Sequence, residues 1–237
     1  MESGLRLNPR GSIWKIIDWF YPPNCVACGC DGYAICPKCI DSALPIIDSF
    51  CNICGKPVDD LQDCSLCKKS NFQFAYARAA FLYDGAIRTA IKKLKYAHQL
   101  GLSELFANFL ISVYLKERWE VDLVTAVPLY KKRFASRGFN QSEWIAKPFA
   151  KAIGKPFSSG AIQKTIHTTP QVGLNQNERK NNLHNAFSAE PVIVRNKKVL
   201  IIDDVMTTGS TFNECASALL KAGASEIYCL SVASTTL

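Results

Sequence analysis

From Asn71 onward the apolar positions fall into two alternating rhythms, and each rhythm predicts an element. Phe74–Tyr83 reads as a strand, and Gly85–Tyr96 and Ser103–Arg118 as two helices. Val121–Pro128 is a largely apolar strand and Gln141–Ala152 a helix. Val199–Ile202 is a short continuous apolar run of the kind that parallel sheets bury on both faces. Within Thr211–Ala222, Phe212, Cys215, Ala216, Leu219 and Leu220 share one helix face, and Gly223 caps the helix. Ile227–Ala233 supplies a further apolar strand. This order of strands and helices predicts an α/β fold with a mainly parallel sheet.

Two stretches break the rhythm. Residues Gln163–Phe187 are polar and contain His167 and His184, and a loop of that length inside a compact domain is usually functional. Cys25–Lys69 is loop-rich and too poor in periodic apolar pattern to build a core from side chains alone. Ahead of it, Ile13, Trp14, Ile16, Ile17, Trp19 and Phe20 form an apolar stripe that Pro22 and Pro23 end. The stripe reads as a helix packed on the protein. Its rival reading is an anchor making peripheral contact at the inner face of the membrane, with Lys15 as the basic contact. The domain boundary is placed at Asn71, giving an N-terminal helix and cysteine module over 1–70 and an α/β domain over 71–237.

Cysteine content changes the picture of the first part. Nine of the eleven cysteines lie between Cys25 and Cys67. Eight pair as Cys25-x-x-Cys28, Cys36-x-x-Cys39, Cys51-x-x-Cys54 and Cys64-x-x-Cys67. Each pair fits a knuckle of a tetrahedral Zn²⁺ site, and four pairs provide two structural Cys₄ sites. The intervals suit two consecutive ribbons; a cross-braced arrangement with alternate pairs sharing a metal stays open, as does an iron–sulfur cluster. Zinc would supply folding energy the module otherwise lacks. No apolar stretch is long enough to span a membrane and no signal peptide is visible, which points to the cytoplasm. In that compartment clustered cysteines hold metal more often than they form disulfides. Cys30 stands outside the pattern, and Cys215 and Cys229 are expected to be inert core residues.

Charge is unevenly spread. The net charge is +8, yet residues 1–70 carry seven Lys/Arg against eight Asp/Glu, so the whole positive excess lies in the larger domain. Such a domain suits a polyphosphate or a nucleic acid.

The candidate chemistry gathers at Val199–Thr211. The apolar strand is expected to end in Asp203 and Asp204, followed by Thr207, Thr208, Gly209, Ser210 and Thr211 at the opening of a helix. Ligands of open α/β sheets bind at such carboxyl ends. Backbone N–H groups and the positive dipole end of the helix favour a phosphate there, Gly209 permits close approach, and the hydroxyls can donate. Two aspartates beside a phosphate cradle make sense as acceptors for sugar hydroxyls, directly or through Mg²⁺. Neither a Walker loop nor a G-x-G-x-x-G is present. A second constellation, Arg133, Arg137, Gly138, Phe139, Asn140 and Gln141, follows a strand and precedes a helix, and its arginines offer forked donors to a diphosphate.

The segment Ile-Ile-Asp-Asp-Val-Met-Thr-Thr-Gly-Ser-Thr at 201–211 resembles the phosphoribosyl diphosphate signature of type I phosphoribosyltransferases. With the cysteine module, the whole chain from about Trp14 is similar to the ComF family of competence proteins, also called amidophosphoribosyltransferase-like. The resemblance implies that Asp203 and Asp204, the candidate catalytic pair, bind the ribose hydroxyls, and that Thr207–Thr211 hold the 5-phosphate. It places Arg133, Arg137, Gly138 and Asn140 in the diphosphate loop. Lys164, Thr168, Gln171, Leu174, Arg179, Asn182 and Phe187 resemble the pattern of the mobile loop and hood, with Gln171 and Arg179 as further ligand contacts. Family members commonly carry arginine where Lys164 stands; lysine keeps the charge and loses the fork. Lys92, Lys95 and Tyr96 resemble a basic family segment that adds positive surface and is not catalytic.

Three functions follow as expectations. The resemblance implies transfer of a phosphoribosyl group from phosphoribosyl diphosphate, with Mg²⁺, to an acceptor that no residue specifies, in a protein of natural transformation that acts on incoming single-stranded DNA. The rival is a non-catalytic DNA-binding or ligand-sensing adapter of the uptake machinery; Tyr96, Phe134 and Phe139 lie near basic residues as base stacking requires. The third makes the zinc module an adapter for other DNA-uptake proteins.

Overall fold

The computed structural model describes residues 24–58, 64–97, 99–165 and 186–236. The stripe from Ile13 to Phe20 lies outside them. Four parallel strands form the main sheet in the order β1 (Tyr76–Leu82), β6 (Glu226–Ser234), β5 (Lys198–Met206) and β2 (Leu123–Ala126). The α/β class and the parallel sheet are as the sequence predicts. The helices over Gly85–Tyr96 (α3) and Gln141–Ala152 (α6) have the expected bounds, and α4 (Gly101–Glu117) and α8 (Ser210–Lys221) differ by a residue or two at their ends. Short helices α1 (Pro37–Asp41) and α2 (Ser65–Lys69) belong to the cysteine region, while α5 (Lys131–Arg137) and α7 (Pro191–Val194) lie in loops. A separate antiparallel pair, β3 (Ile162–Lys164) and β4 (Phe187–Ala189), brackets the polar stretch.

Both faces of the sheet are covered, which explains the unbroken apolar runs in β5 and β6. On one face, Ile87 and Leu94 of α3, Phe106 and Leu110 of α4, and Ile145 and Phe149 of α6 pack on Leu200, Ile202, Leu230 and Val232. On the other, Phe212, Cys215 and Leu219 of α8 and Ile162 and Phe187 of the small pair pack on Val199, Ile201, Ile227 and Cys229. Burial raises the thiols of Cys215 and Cys229 well above their ordinary range, so both are inert core residues as expected.

The cysteine region straddles the edge of β1. Residues 44–46 run antiparallel to it, with Ile46 N–H donating to the Ala80 carbonyl at 3.0 Å and Leu82 N–H to the Leu44 carbonyl at 2.8 Å. Ahead of this segment, Cys25, Ile35, Cys36 and Ala43 join the core of the first face. Beyond it, Cys51, Cys54, Cys64 and Leu66 join that of the second. Gly55 marks how closely the second part is seated: its φ is +66°, and a Cβ there would lie 2.3 Å from the Ala77 carbonyl oxygen, so no other residue fits. The opposite edge is also covered, since Val124 N–H donates to the Pro156 carbonyl and Ser158 N–H to the Val124 carbonyl. Neither edge of the sheet is left open to another chain.

Candidate functional site

β2 leads through α5 to α6 on one face, whereas β5 leads to α8 on the other. Loops that diverge to opposite faces leave a crevice at the carboxyl ends of the strands between them. Asp203 and Asp204 stand in it, but within β5 rather than beyond it. β6 continues the pairing past them, matching Asp203 with Ser231 and Met206 with Ser234, and this carries the strand four residues beyond the apolar run that sequence delimits.

The two carboxylates have different environments. Asp204 is 3% exposed; it pairs with Lys95 of α3 and accepts from Gln141 Nε2 at 3.2 Å. Burial acts to raise its pKa, but the Lys95 ammonium outweighs burial and holds the carboxyl below its usual value. Lys95 in turn is raised, burial opposing and Asp204 favouring its charge. Asp203 accepts from Ser142 Oγ at 2.7 Å and from the Asp204 N–H at 2.8 Å. Desolvation, with the Asp204 charge second, pushes it up to about 8. Burial and the neighbouring charge thus push the two carboxyls in opposite directions, Asp203 toward its neutral form and Asp204 toward its charged one.

The turn after β5 opens α8 on a left-handed glycine flanked by hydroxyls. Gly209, at φ +74°, is the N-cap of α8. Thr208 Oγ1 and Ser210 Oγ are 2.8 Å apart, and Thr207, Thr208, Ser210 and Thr211 are all partly accessible. Left-handed glycine followed by helix aims successive N–H groups into one concavity. Gly209 is backed by Phe72, whose ring would lie 3.2 Å from a Cβ there.

Across the crevice, Arg137 Nη1 donates to Gln141 Oε1 at 2.6 Å, and its guanidinium lies 5.3 Å from the Tyr96 ring centroid. Arg137, Gln141, Asp204 and Lys95 thus form one chain of polar contacts from the arginine loop to the acidic pair. Arg133 is exposed on α5, and Gly138 ends that helix with φ +77°. Asn140 points inward: 2% exposed, it caps α6 by accepting from Ser142 N–H and donates to the Val127 carbonyl at 3.0 Å. Lys164, on β3, lies with its ammonium 5.3 Å from the Phe187 ring centroid; burial first, and the charge of Arg133 second, depress its pKa. Gln171 and Arg179, with Thr168, Leu174, Asn182, His167 and His184, lie outside the described residues. Lys95, Gln141 and Ser142 are contacts that sequence reasoning did not assign to the acidic pair. The signal for Lys95 was its place beside Leu94, a buried position on α3.

The cysteines assemble as two consecutive clusters, Cys25–Cys28–Cys36–Cys39 and Cys51–Cys54–Cys64–Cys67, each with its sulfurs within 4.8 Å of one another. Sulfur pairs at 3.5–3.6 Å match the separation of about 3.8 Å that Zn–S bonds of about 2.3 Å give in a tetrahedron. Burial opposes the Cys25 thiolate, yet N–H groups of the knuckle outweigh it and lower its pKa, whereas hydrogen bonding to Cys36 raises Cys39.

The geometry agrees with comparisons to known proteins. Residues 16–68 match the double zinc ribbon domain, and residues 141–235 the phosphoribosyl transferase domain. DNA utilization protein YhgH of Salmonella typhi, like that of Escherichia coli (strain K12), is 30% identical over 206 residues, covering 84% of this chain and 90% of its own. The chain belongs to the ComF/YhgH family. Competence protein ComFC of Streptococcus pneumoniae (strain ATCC BAA-255 / R6) is 30% identical to this ComF/YhgH chain over 204 residues, 85% of it and 88% of the relative. Among solved structures, adenine phosphoribosyltransferase from Thermoanaerobacter pseudethanolicus shares 16% identity at TM-score 0.36, covering 60% of this chain and 83% of that one. In this ComF/YhgH protein the matched ribbon region spans all eight paired cysteines, and the matched transferase region runs from the first residue of α6 through β5, α8 and β6. No helix among the described residues is long and apolar enough to cross a membrane.

Proposed function

We propose that this protein binds phosphoribosyl diphosphate with Mg²⁺ at the carboxyl ends of β5 and β2, and that it serves the import of single-stranded DNA on the cytoplasmic side during natural transformation. The observation that carries the reading is the placement of the acidic pair between an anion-binding turn on one side and an arginine loop on the other. Thr207–Thr211 take the 5-phosphate, Asp203 and Asp204 the ribose hydroxyls, and Arg133 and Arg137 the diphosphate. Gln171 and Arg179 enter the reading as further ligand contacts through the family resemblance alone. Asn140 acts by fixing the end of the arginine loop. The competence and DNA-utilization names of the relatives support the biological setting.

In the transferase reaction a nucleophile on the acceptor bonds to the ribose anomeric carbon as its bond to diphosphate breaks, and the electron pair leaves on the diphosphate oxygen. Positive charge develops on the ribose and negative charge on the leaving group. Asp203 and Asp204 orient the sugar and face the first, while the arginines face the second. Bound Mg²⁺ supplies charge neutralisation of the diphosphate. Lys95 keeps Asp204 ionised and in place. At the rim, Tyr96 and Phe134 are 72% and 47% exposed, rings on which bases of a single strand can stack beside the arginines.

Calorimetry of phosphoribosyl diphosphate with Mg²⁺, on the wild type and on Asp203→Ala/Asp204→Ala, tests the donor site. Binding is expected for the wild type and its loss for the variant; a wild type that does not bind sinks the reading. Binding without diphosphate release in the presence of bases, nucleosides or DNA would make the protein a ligand sensor instead. Salt-dependent binding of single-stranded DNA that survives the aspartate substitutions would place DNA on a separate surface.

A further inference from the structure

The two tetra-cysteine clusters are alike in sequence but meet different parts of the molecule. The first shares its core with α3 and with Ala80 and Phe81 of β1. The second shares its core with Phe74, Met206 and Phe212, the residues that flank that turn. Between the second cluster and β1 runs a short segment, Phe72–Phe74, and each of its three residues makes a contact of a different kind. Phe72 lies against Gly209. Gln73 N–H donates to Asn213 Oδ1 in the first turn of α8 at 2.7 Å. Phe74 is 3% exposed and stacks on Phe72 with ring centroids 4.6 Å apart. A further tie joins the same cluster to the sheet: Lys56, between Cys54 and Cys64, is 1% exposed and donates its ammonium to the Thr235 carbonyl and, at 3.0 Å, to Thr235 Oγ1. Thr235 N–H in turn donates to the Met206 carbonyl at 3.1 Å, at the start of the turn.

We infer that Phe72–Phe74 is a positioning strut for the phosphate turn, anchored by the second tetra-cysteine cluster, and that the first cluster has no part in it. The inference rests on the reading of Thr207–Thr211 as the 5-phosphate site. A turn whose glycine uses a left-handed conformation holds its N–H groups in register only if its outer side is supported. Here that support is an aromatic ring from the segment that joins the second cluster to β1. Phe72 and Gln73 meet the turn glycine and the first turn of α8, whereas the arginine loop leads into α6, which packs on the opposite face of the sheet. The strut therefore governs one end of the ligand and leaves the other alone.

The test measures the two ends separately, with ribose 5-phosphate and inorganic pyrophosphate as probes of the full-length zinc-loaded protein. Phe72→Ala is expected to weaken ribose 5-phosphate about tenfold, as small displacements of positioned donors do, with pyrophosphate affinity and two zinc ions per chain unchanged. Phe72→Leu, which keeps apolar bulk against Gly209 without placing a polar group on the turn, is expected to retain most of the affinity. Cys64→Ser, which dismantles the anchor, is expected to reproduce the loss for ribose 5-phosphate, whereas Cys28→Ser is expected to lose a zinc ion without it. Equal losses for both probes in Phe72→Ala, or equal effects of Cys64→Ser and Cys28→Ser, would overturn the strut and reduce the contacts to general stability. A wild type that binds neither probe overturns the phosphate-site reading itself, whereas a wild type and Phe72→Ala that bind ribose 5-phosphate equally overturn only the strut.

Discussion

On the face covered by α3, α4 and α6, the crevice is organised by side-chain charge. Lys95 and Gln141 converge on Asp204, Ser142 on Asp203, and Arg137 closes the chain through Gln141. On the face covered by α8 it is organised by backbone: a left-handed glycine, a helix start and two hydroxyls in contact. The difference teaches what each half tolerates. A charged contact fails when its partner is removed, because the survivor is left desolvated. A backbone cradle is indifferent to many side chains and fails when its conformation is denied.

The sharpest way to break the charged half is Lys95→Ala. It strands Asp204 as a buried carboxylate and is expected to cost about 3 kcal/mol, read from the shift of the urea midpoint. Adding Asp204→Ala to it should recover part of that loss, and a double variant no more stable than the single would refute the pairing. On the backbone half, Gly209→Ala is expected to cost about 1–2 kcal/mol, because alanine resists positive φ and its methyl presses on Phe72. Its ribose 5-phosphate affinity should fall while the Lys95–Asp204 pair stays intact. The last effect, at Asp203, is read through its pH dependence. Its folded pKa of about 8 lies above the unfolded value near 3.8, so the native state holds the extra proton and stability falls as pH rises between those values. Asp203→Asn removes this dependence and should raise Tm relative to wild type at pH 8 and hardly at pH 4. A Tm difference that does not grow with pH would show that the carboxyl is ionised throughout.

Local pattern made the long elements legible because their faces are buried at regular spacing: α3 and α6 carry buried residues at helical intervals, and their bounds were readable to the residue. The length of β5 was not, since it depends on pairing with β6, and polar Asp203 and Asp204 look like a strand's end when read alone. α5 escaped notice for the opposite reason, because Lys131–Arg137 has no apolar stripe. Three-residue strands such as β3 and β4 are too short for alternation to register. At the site, residue types and turn chemistry were legible, as was the cysteine spacing. The partnership of Lys95 with Asp204 was not, because it joins two elements distant in the chain.

The strip of backbone at 44–46 bears on the order in which the protein can be made. Of the strands in the sheet, β1 emerges first from the ribosome, and its only neighbour there, β6, emerges last. Through most of synthesis β1 has no sheet to join, and an unpaired apolar strand invites association with other chains. The strip is already present, lies immediately upstream, and pairs with the edge that β6 does not use. The segment between the ribbons can therefore act as an early partner that shelters β1 until the sheet is complete.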